Sequence, residues 1–301
     1  VDLGLAVAQY GAFASLGSVT AVATGAERIG YDSLWVGDRL LSPLRPLDRY
    51  PGGDGTIPPQ HRTFLDPVAV LSVAAAVTER VRLGTSTLNA CWYSPPLVAR
   101  SFATLDRLSG GRAVAGFGLG WSREEYAANG RPWADRAARL DDMLDALEAI
   151  WTSDPVEYSS DRWTITPSTI EPKPQNLPVY LAGFAPAALR RVGRRADGWL
   201  TAALPLPMLT GMWTAIRQSA EEAGRDPDRL RMVLRCNPKV TGSPAPEGAV
   251  PRSGTVKQIA EYLSAAAEAG VHEILLDLQL TTTEDAELLD LAAAFHDALK
   301  G

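Results

Sequence analysis

Residues 111–121, GRAVAGFGLGW, end an apolar run with glycines at positions 116, 118 and 120. A dinucleotide-binding fingerprint would space them G-x-G-x-x-G and open a helix in the first βαβ unit. Here the spacing is G-x-G-x-G on a fourth strand, and the next helical pattern begins only after WSREEYAANGRPW. Two readings remain. Alternate bare positions near a strand's end let a flat ligand lie against the backbone, or they mark a crowded barrel strand without room for side chains. Residues 80–100, RVRLGTSTLNACWYSPPLVAR, place Thr85, Ser86, Thr87 and Asn89, then Trp92 and Tyr93, at the end of a third strand. This is either a bulge aiming amides at a heterocycle or an ordinary polar strand terminus. In PVYLAGFAPAALRR a strand is followed by small residues 182–185 and a helix from Pro186. Free amides at such a helix start suit a phosphate.

Other reactive machinery is missing. His61, His272 and His296 are the only histidines and do not form H-E-x-x-H, which argues against a zinc hydrolase; His272 and His296 read as structural. There is no G-x-S-x-G elbow and no P-loop lysine, and Lys239, the one lysine placed for a Schiff base, reads better as a solvated loop residue. Cys91 and Cys236 are the only cysteines and lie far apart, so neither disulfides nor a thiolate metal site is expected. With no evident nucleophile, metal cluster or acid/base pair, the hard chemistry falls to a bound cofactor.

The elements that must position these residues alternate. Strands are expected at 3–8, 33–37, 81–88, 113–117, 179–182, 198–201, 231–236 and 273–278, with helical patterns between them. Asp66-Pro67 and Ser94-Pro95 each offer a capping side chain before a proline at the first helical turn. Eight strands in strict alternation close most naturally into a (β/α)8 TIM barrel, so residues 1–301 are expected to form one barrel domain. Long connections interrupt it after the second strand (39–63), after the fourth helix (152–177, with a hairpin candidate VEYSSDRWTI) and after the seventh strand (237–253). The first and third are candidate lids.

A net charge of −6, from 29 Lys plus Arg against 35 Asp plus Glu, argues against a nucleic-acid partner. The longest apolar segment, VAVLSVAAAV, is about half of what a membrane span needs. A cytoplasmic protein with a small-molecule substrate, no membrane contact and a homodimeric assembly is the expectation.

The segments SLWVGD, TERVRLGTSTLN, SPPLVARSFATLDRLSGGRAVAGFGLGW, REEY, ARLDDMLDALEAIW, PVYLAG and RRADGWL stand in the order and near the spacing of the bacterial-luciferase-like superfamily. The chain most resembles its actinobacterial branch of deazaflavin (coenzyme F420) dependent oxidoreductases, over nearly its whole length. The resemblance implies a (β/α)8 barrel with the cofactor at the C-terminal ends of the strands and hydride transfer to or from a small organic substrate. It places Asp38 on the deazaflavin headgroup, and Ser86 and Thr87 in a bulge with a non-proline cis peptide behind the ring. Asn89 follows as a polar contact, Gly118 and Gly120 as positions of close approach, and Gly183, Phe184 and Ala185 as the turn that receives the phosphate.

Departures from the branch bear on the substrate. Arg39 stands where a histidine is common, and Trp121 and Tyr10 stand where sugar-phosphate dehydrogenases of the family carry acids. Tyr10, Arg39, Trp92 and Trp121 are thus expected to line an apolar substrate pocket unsuited to sugar phosphates, with Tyr10 the remaining candidate for a catalytic proton donor. The rival readings are an FMN-dependent monooxygenase on the same scaffold and a non-catalytic F420-binding protein. No metal is expected.

Overall fold

Eight apolar runs form eight parallel strands, which we label β1 (Asp2–Ala6), β2 (Ser33–Val36), β3 (Arg82–Thr85), β4 (Ala113–Gly118), β5 (Val179–Ala182), β6 (Gly198–Ala202), β7 (Arg231–Cys236) and β8 (Glu273–Leu276). The computed structural model describes residues 1–246 and 248–301. Each strand pairs in parallel with the next, and β1 pairs with β8, so the sheet closes on itself. The expected barrel is therefore the fold. Its strands are apolar on both faces because one side meets the barrel interior and the other the helices.

Nine helices surround it among the described residues: α1 (Leu16–Ile29), α2 (Pro67–Val77), α3 (Pro95–Ser109), α4 (Arg123–Ala128), α5 (Arg136–Thr152), α6 (Pro186–Arg195), α7 (Leu206–Glu222), α8 (Val256–Glu268) and α9 (Asp285–Lys300). None is long and apolar enough to cross a membrane.

The two proline-marked starts behave differently. Asp66 accepts the Ala69 amide at 2.8 Å, as a cap should. Ser94 occupies the N-cap of α3, but its side chain makes no capping bond. The reason is a second proline: Pro96 has no N–H to offer, and the Leu97 amide is taken by the Ser94 carbonyl at 3.1 Å.

Three local features differ from the plain alternation. The run 81–88 is not one strand: β3 stops at Thr85, and Leu88–Asn89 then pairs separately with Phe117 and Gly118 of β4. The stretch after β4 contains the six-residue helix α4, too short to show a hydrophobic period. The residues after α5 form the expected antiparallel hairpin, Val156–Ser159 with Thr164–Ser168.

Inside the barrel, Trp35 stacks on Tyr180 with ring centroids 6.3 Å apart, packed with Val114, Leu200, Val233 and Leu275. Below them the fully buried Glu273 accepts from Trp35 Nε1 at 2.8 Å and pairs with Arg82 at 2.8 Å. Ser33 also donates to it. A buried carboxylate persists only when paired and hydrogen-bonded in this way. This filled interior is a floor, leaving the strands' C-terminal ends as the place for a site.

Candidate functional site

The strands deliver the expected residues to one mouth. β2 runs into Asp38 and Arg39, β3 into Ser86 and Thr87, β4 into Gly120 and Trp121, and β5 into Gly183, Phe184 and Ala185. The Ser86–Thr87 peptide is cis, as the resemblance implies. A Cβ at Gly116 would land on the carbonyl oxygen of Thr85, and one at Gly118 on the side chain of Thr87. At Gly120, where φ is +68°, it would lie 3.0 Å from Asn89 Oδ1. The bare face of β4 thus receives the neighbouring segment from Thr85 to Asn89. Of the two readings of the glycines, crowding describes what they touch, and Thr87 and Asn89 are the atoms this face offers upward.

Asp38 is tied to that segment. Its Oδ2 accepts the Asn89 amide at 2.9 Å and the Tyr93 hydroxyl at 3.4 Å, while its backbone carbonyl accepts Asn89 Nδ2 at 3.3 Å. Burial, with help from the charges of Glu125 and Asp66, pushes its carboxyl up to about 7 against the bond from Asn89. In the unfolded chain it ionises near pH 4. Between those values the unfolded state releases a proton that the folded state keeps, so this group's contribution to stability is complete below about pH 4, falls as pH rises, and is lost above about 7. Asp38→Asn should therefore be stabilised relative to the parent by an amount that grows from pH 5 to pH 8, with a ceiling of roughly 4 kcal/mol. Urea unfolding of both proteins at the two pH values checks this; an equal difference at both would show that Asp38 ionises normally.

Across the mouth stands a group that includes residues the sequence did not single out. Tyr10 stacks on Phe64 (centroids 5.1 Å) and meets His61 edge-on (5.0 Å); His61 meets Tyr50 at 5.5 Å, and Tyr50 meets Trp121 at 5.5 Å. The Arg39 guanidinium lies over Trp121 at 4.5 Å. The Tyr10 hydroxyl donates to Asp277 at 3.1 Å, and Arg235 pairs with the same carboxylate and donates to the Ser86 carbonyl. Burial and Asp277 raise the Tyr10 pKa well above its ordinary value. Its one proton is committed to Asp277, so Tyr10 is a wall residue first.

Arg235 and Asp277 had a signal in the sequence: a charge near the C-terminal end of each of two largely apolar strand runs, RMVLRC and EILLDLQ. Gln9 had none, yet it spans the mouth's edge, donating to the carbonyls of Gly37 and Leu65, each at 2.9 Å, and accepting the Gly37 amide at 2.8 Å. Trp92 is not part of this group. It is buried, and its ring meets Tyr126 edge-on at 6.4 Å.

The turn at Gly183, Phe184 and Ala185 leads into α6 at the rim. Phe184 is exposed, and Ala185, the N-cap residue, supplies no side-chain cap. Pro186 has no N–H and the Ala188 amide is taken by the Ala185 carbonyl at 2.8 Å, which leaves the Ala187 amide of the first turn for an anion. The residues fit a planar heterocycle with an anionic tail. Asp38 and Asn89 offer polar edges beside the glycines and the start of α6 offers the Ala187 amide at the rim; on the opposite wall the buried Nδ1 of His61 and Nε and Nη2 of Arg39 have no partner.

Known proteins resemble this chain in sequence and in fold. The family model described as luciferase-like monooxygenase matches residues 4–246. The chain is 34% identical over 208 residues to an F420-dependent glucose-6-phosphate dehydrogenase of Amycolatopsis mediterranei, covering 67% of this chain and 58% of that protein. Among solved structures, it superposes with a TM-score of 0.81 and 19% identity on the monooxygenase RslO1 from Streptomyces bottropensis, over 100% of this chain and 99% of the other. With an F420-dependent secondary alcohol dehydrogenase, in complex with an F420-acetone adduct, the TM-score is 0.80 at 19% identity, again over 100% and 99%.

Proposed function

Because this chain belongs to the luciferase-like monooxygenase family, we propose that it is an oxidoreductase moving a hydride between coenzyme F420 and a small organic substrate at the C-terminal mouth of the barrel. The observation that carries this reading is the convergence of Asp38, the segment from Thr85 to Asn89 and the glycine face of β4 on one side of the mouth. Sequence likeness to the Amycolatopsis enzyme favours the deazaflavin over FMN. The bound cofactor supplies or accepts the hydride; the protein positions and shields it.

In this reading Asp38 and Asn89 fix the polar edge of the ring, and the ends of β3 and β4 form the bed beneath it. The turn from Gly183 to Ala185 and the start of α6 would hold the cofactor's phosphate. Tyr10, Tyr50, Phe64 and Trp121 form the wall on the substrate side and keep water from the reacting carbon. By the resemblance noted in the sequence, Trp121 puts a ring where sugar-phosphate dehydrogenases of the family carry an acid, which argues against a sugar phosphate as the substrate.

Side-by-side fluorescence titrations of the apo-protein with coenzyme F420 and with FMN, at moderate salt, test the proposal. F420 should bind at least tenfold more tightly. Tighter binding of FMN would move the protein to flavin chemistry and leave the barrel untouched.

A further inference from the structure

Arg39 is 8% exposed and forms no ion pair or hydrogen bond among the described residues. Its nearest carboxylates are engaged elsewhere. Glu125 Oε1 accepts the amides of Leu40 (2.9 Å) and Leu41 (3.4 Å), and Glu124 accepts from Ser122 Oγ (2.9 Å) and the Leu47 amide (2.6 Å). The unpartnered nitrogens, Nε and Nη2, form one edge of the guanidinium, the edge that takes a carboxylate side-on through two parallel bonds. Trp121 lies against the flat face at 4.5 Å and holds the plane in place. Leaving such donors empty in a dry site is costly, and an anion that fills them regains that cost.

We infer that Arg39 is the specificity-determining residue of the substrate pocket and that it receives the carboxylate of a substrate with an apolar or aromatic body. This rests on the oxidoreductase reading above and names its substrate class. The body of the substrate lies against the rings of Trp121 and Tyr50 and the neighbouring Phe64 and Tyr10, which offer apolar faces; the other cation nearby, Arg235, is already paired with Asp277. His61, between Tyr50 and Tyr10, is held neutral: burial and the nearby Arg39 charge push its imidazole down to about 4. Arg39 is therefore the unpaired cation of this wall at neutral pH. Neither free nitrogen is open to solvent in this conformation, so binding of the carboxylate requires local movement of the surrounding side chains.

The test uses the full chain, with and without bound F420, and two probes of the same shape: benzoate and its neutral counterpart benzamide. Binding is read by tryptophan fluorescence, since Trp121 lies on Arg39. Benzoate should bind at least tenfold more tightly than benzamide. Arg39→Gln should bring benzoate down to the level of benzamide without changing benzamide itself, and Arg39→Lys, which keeps the charge but not the fork, should fall between. Equal binding of the two probes by the parent protein overturns the inference and requires no variant; so does benzoate binding that survives in Arg39→Gln. Displacement of benzoate by F420, one for one, would assign the anion site to the cofactor and also overturn it. Discrimination between the probes in a protein that does not bind F420 would instead sink the cofactor reading and leave the carboxylate site standing.

Discussion

Alanine at Gly116 should cost more than about 4 kcal/mol of stability, enough to leave little folded protein, whereas alanine at Gly118 should cost less than about 1 kcal/mol. The two positions lie on the same face of β4, and the difference is in what each faces. At Gly116 the added carbon meets the carbonyl oxygen of Thr85, with Leu200 also 2.8 Å away. That carbonyl cannot yield: Thr85 is in register with Val36 of β2, and its hydroxyl is bonded to both the carbonyl (2.7 Å) and the amide (3.0 Å) of Gly116. At Gly118 the obstacle is the half-buried Thr87 side chain, whose Oγ1 can rotate away while its Cβ, 3.1 Å from the added carbon, needs to give by only a few tenths of an ångström. The displaced Thr87 then projects into the bed assigned to the cofactor, so Gly118→Ala should weaken F420 binding at least tenfold. Urea unfolding and F420 titration of the two variants separate the effects. A stable Gly116→Ala protein would contradict the strand spacing described here, and unaltered F420 affinity in Gly118→Ala would reduce the glycine to a packing role.

The second large effect belongs to Arg235. Its partner Asp277 is fully buried, and Arg235 is its only cation within 4 Å among the described residues. Removing the guanidinium leaves a sealed carboxylate held only by Tyr10, Asn237 and Gln279. Arg235→Met should destabilise the protein by about 3–5 kcal/mol, the range for breaking rather than replacing a buried pair. The value should fall at the low end, because the arginine side chain keeps 25% exposure. Arg235→Met combined with Asp277→Leu should recover much of the loss, which a double-mutant cycle on urea unfolding would measure. A single-variant loss below about 1 kcal/mol would mean that water reaches Asp277 in solution. Arg235 also holds the Ser86 carbonyl, so this pair couples the far side of the barrel to the end of β3.

The barrel was legible because strands buried on both faces leave nearly continuous apolar runs, and eight of them cannot be read as helices at their length. Finer features escaped for specific reasons. The break after Thr85 lies inside a run whose composition continues to favour a strand, and only pairing with β4 divides it. Tyr50, His61 and Phe64 come from a proline- and glycine-rich connection without hydrophobic period, so nothing local shows that their rings meet. Arg235 stands on β7 and Asp277 one residue past the end of the adjacent β8, and their pairing becomes visible only with the register, in which Arg235 faces Leu275 and Cys236 faces Leu276. Asp38 and Asn89 were found through resemblance; the hydrogen bonds that join them are a property of the fold.

Residues 37–66 form one uninterrupted piece of chain between β2 and α2, and this piece supplies Arg39, Tyr50, His61 and Phe64. The floor, the glycine face and the rim of α6 are built elsewhere. Inheritance of the mouth is therefore modular: a single insertion, deletion or recombination event within this piece can exchange most of the far wall at once, leaving Tyr10 and Trp121 in place. Sister proteins could share every barrel strand and still differ in what they admit. Within such a lineage, divergence confined to this interval would record changes of diet, and the barrel strands would record common descent.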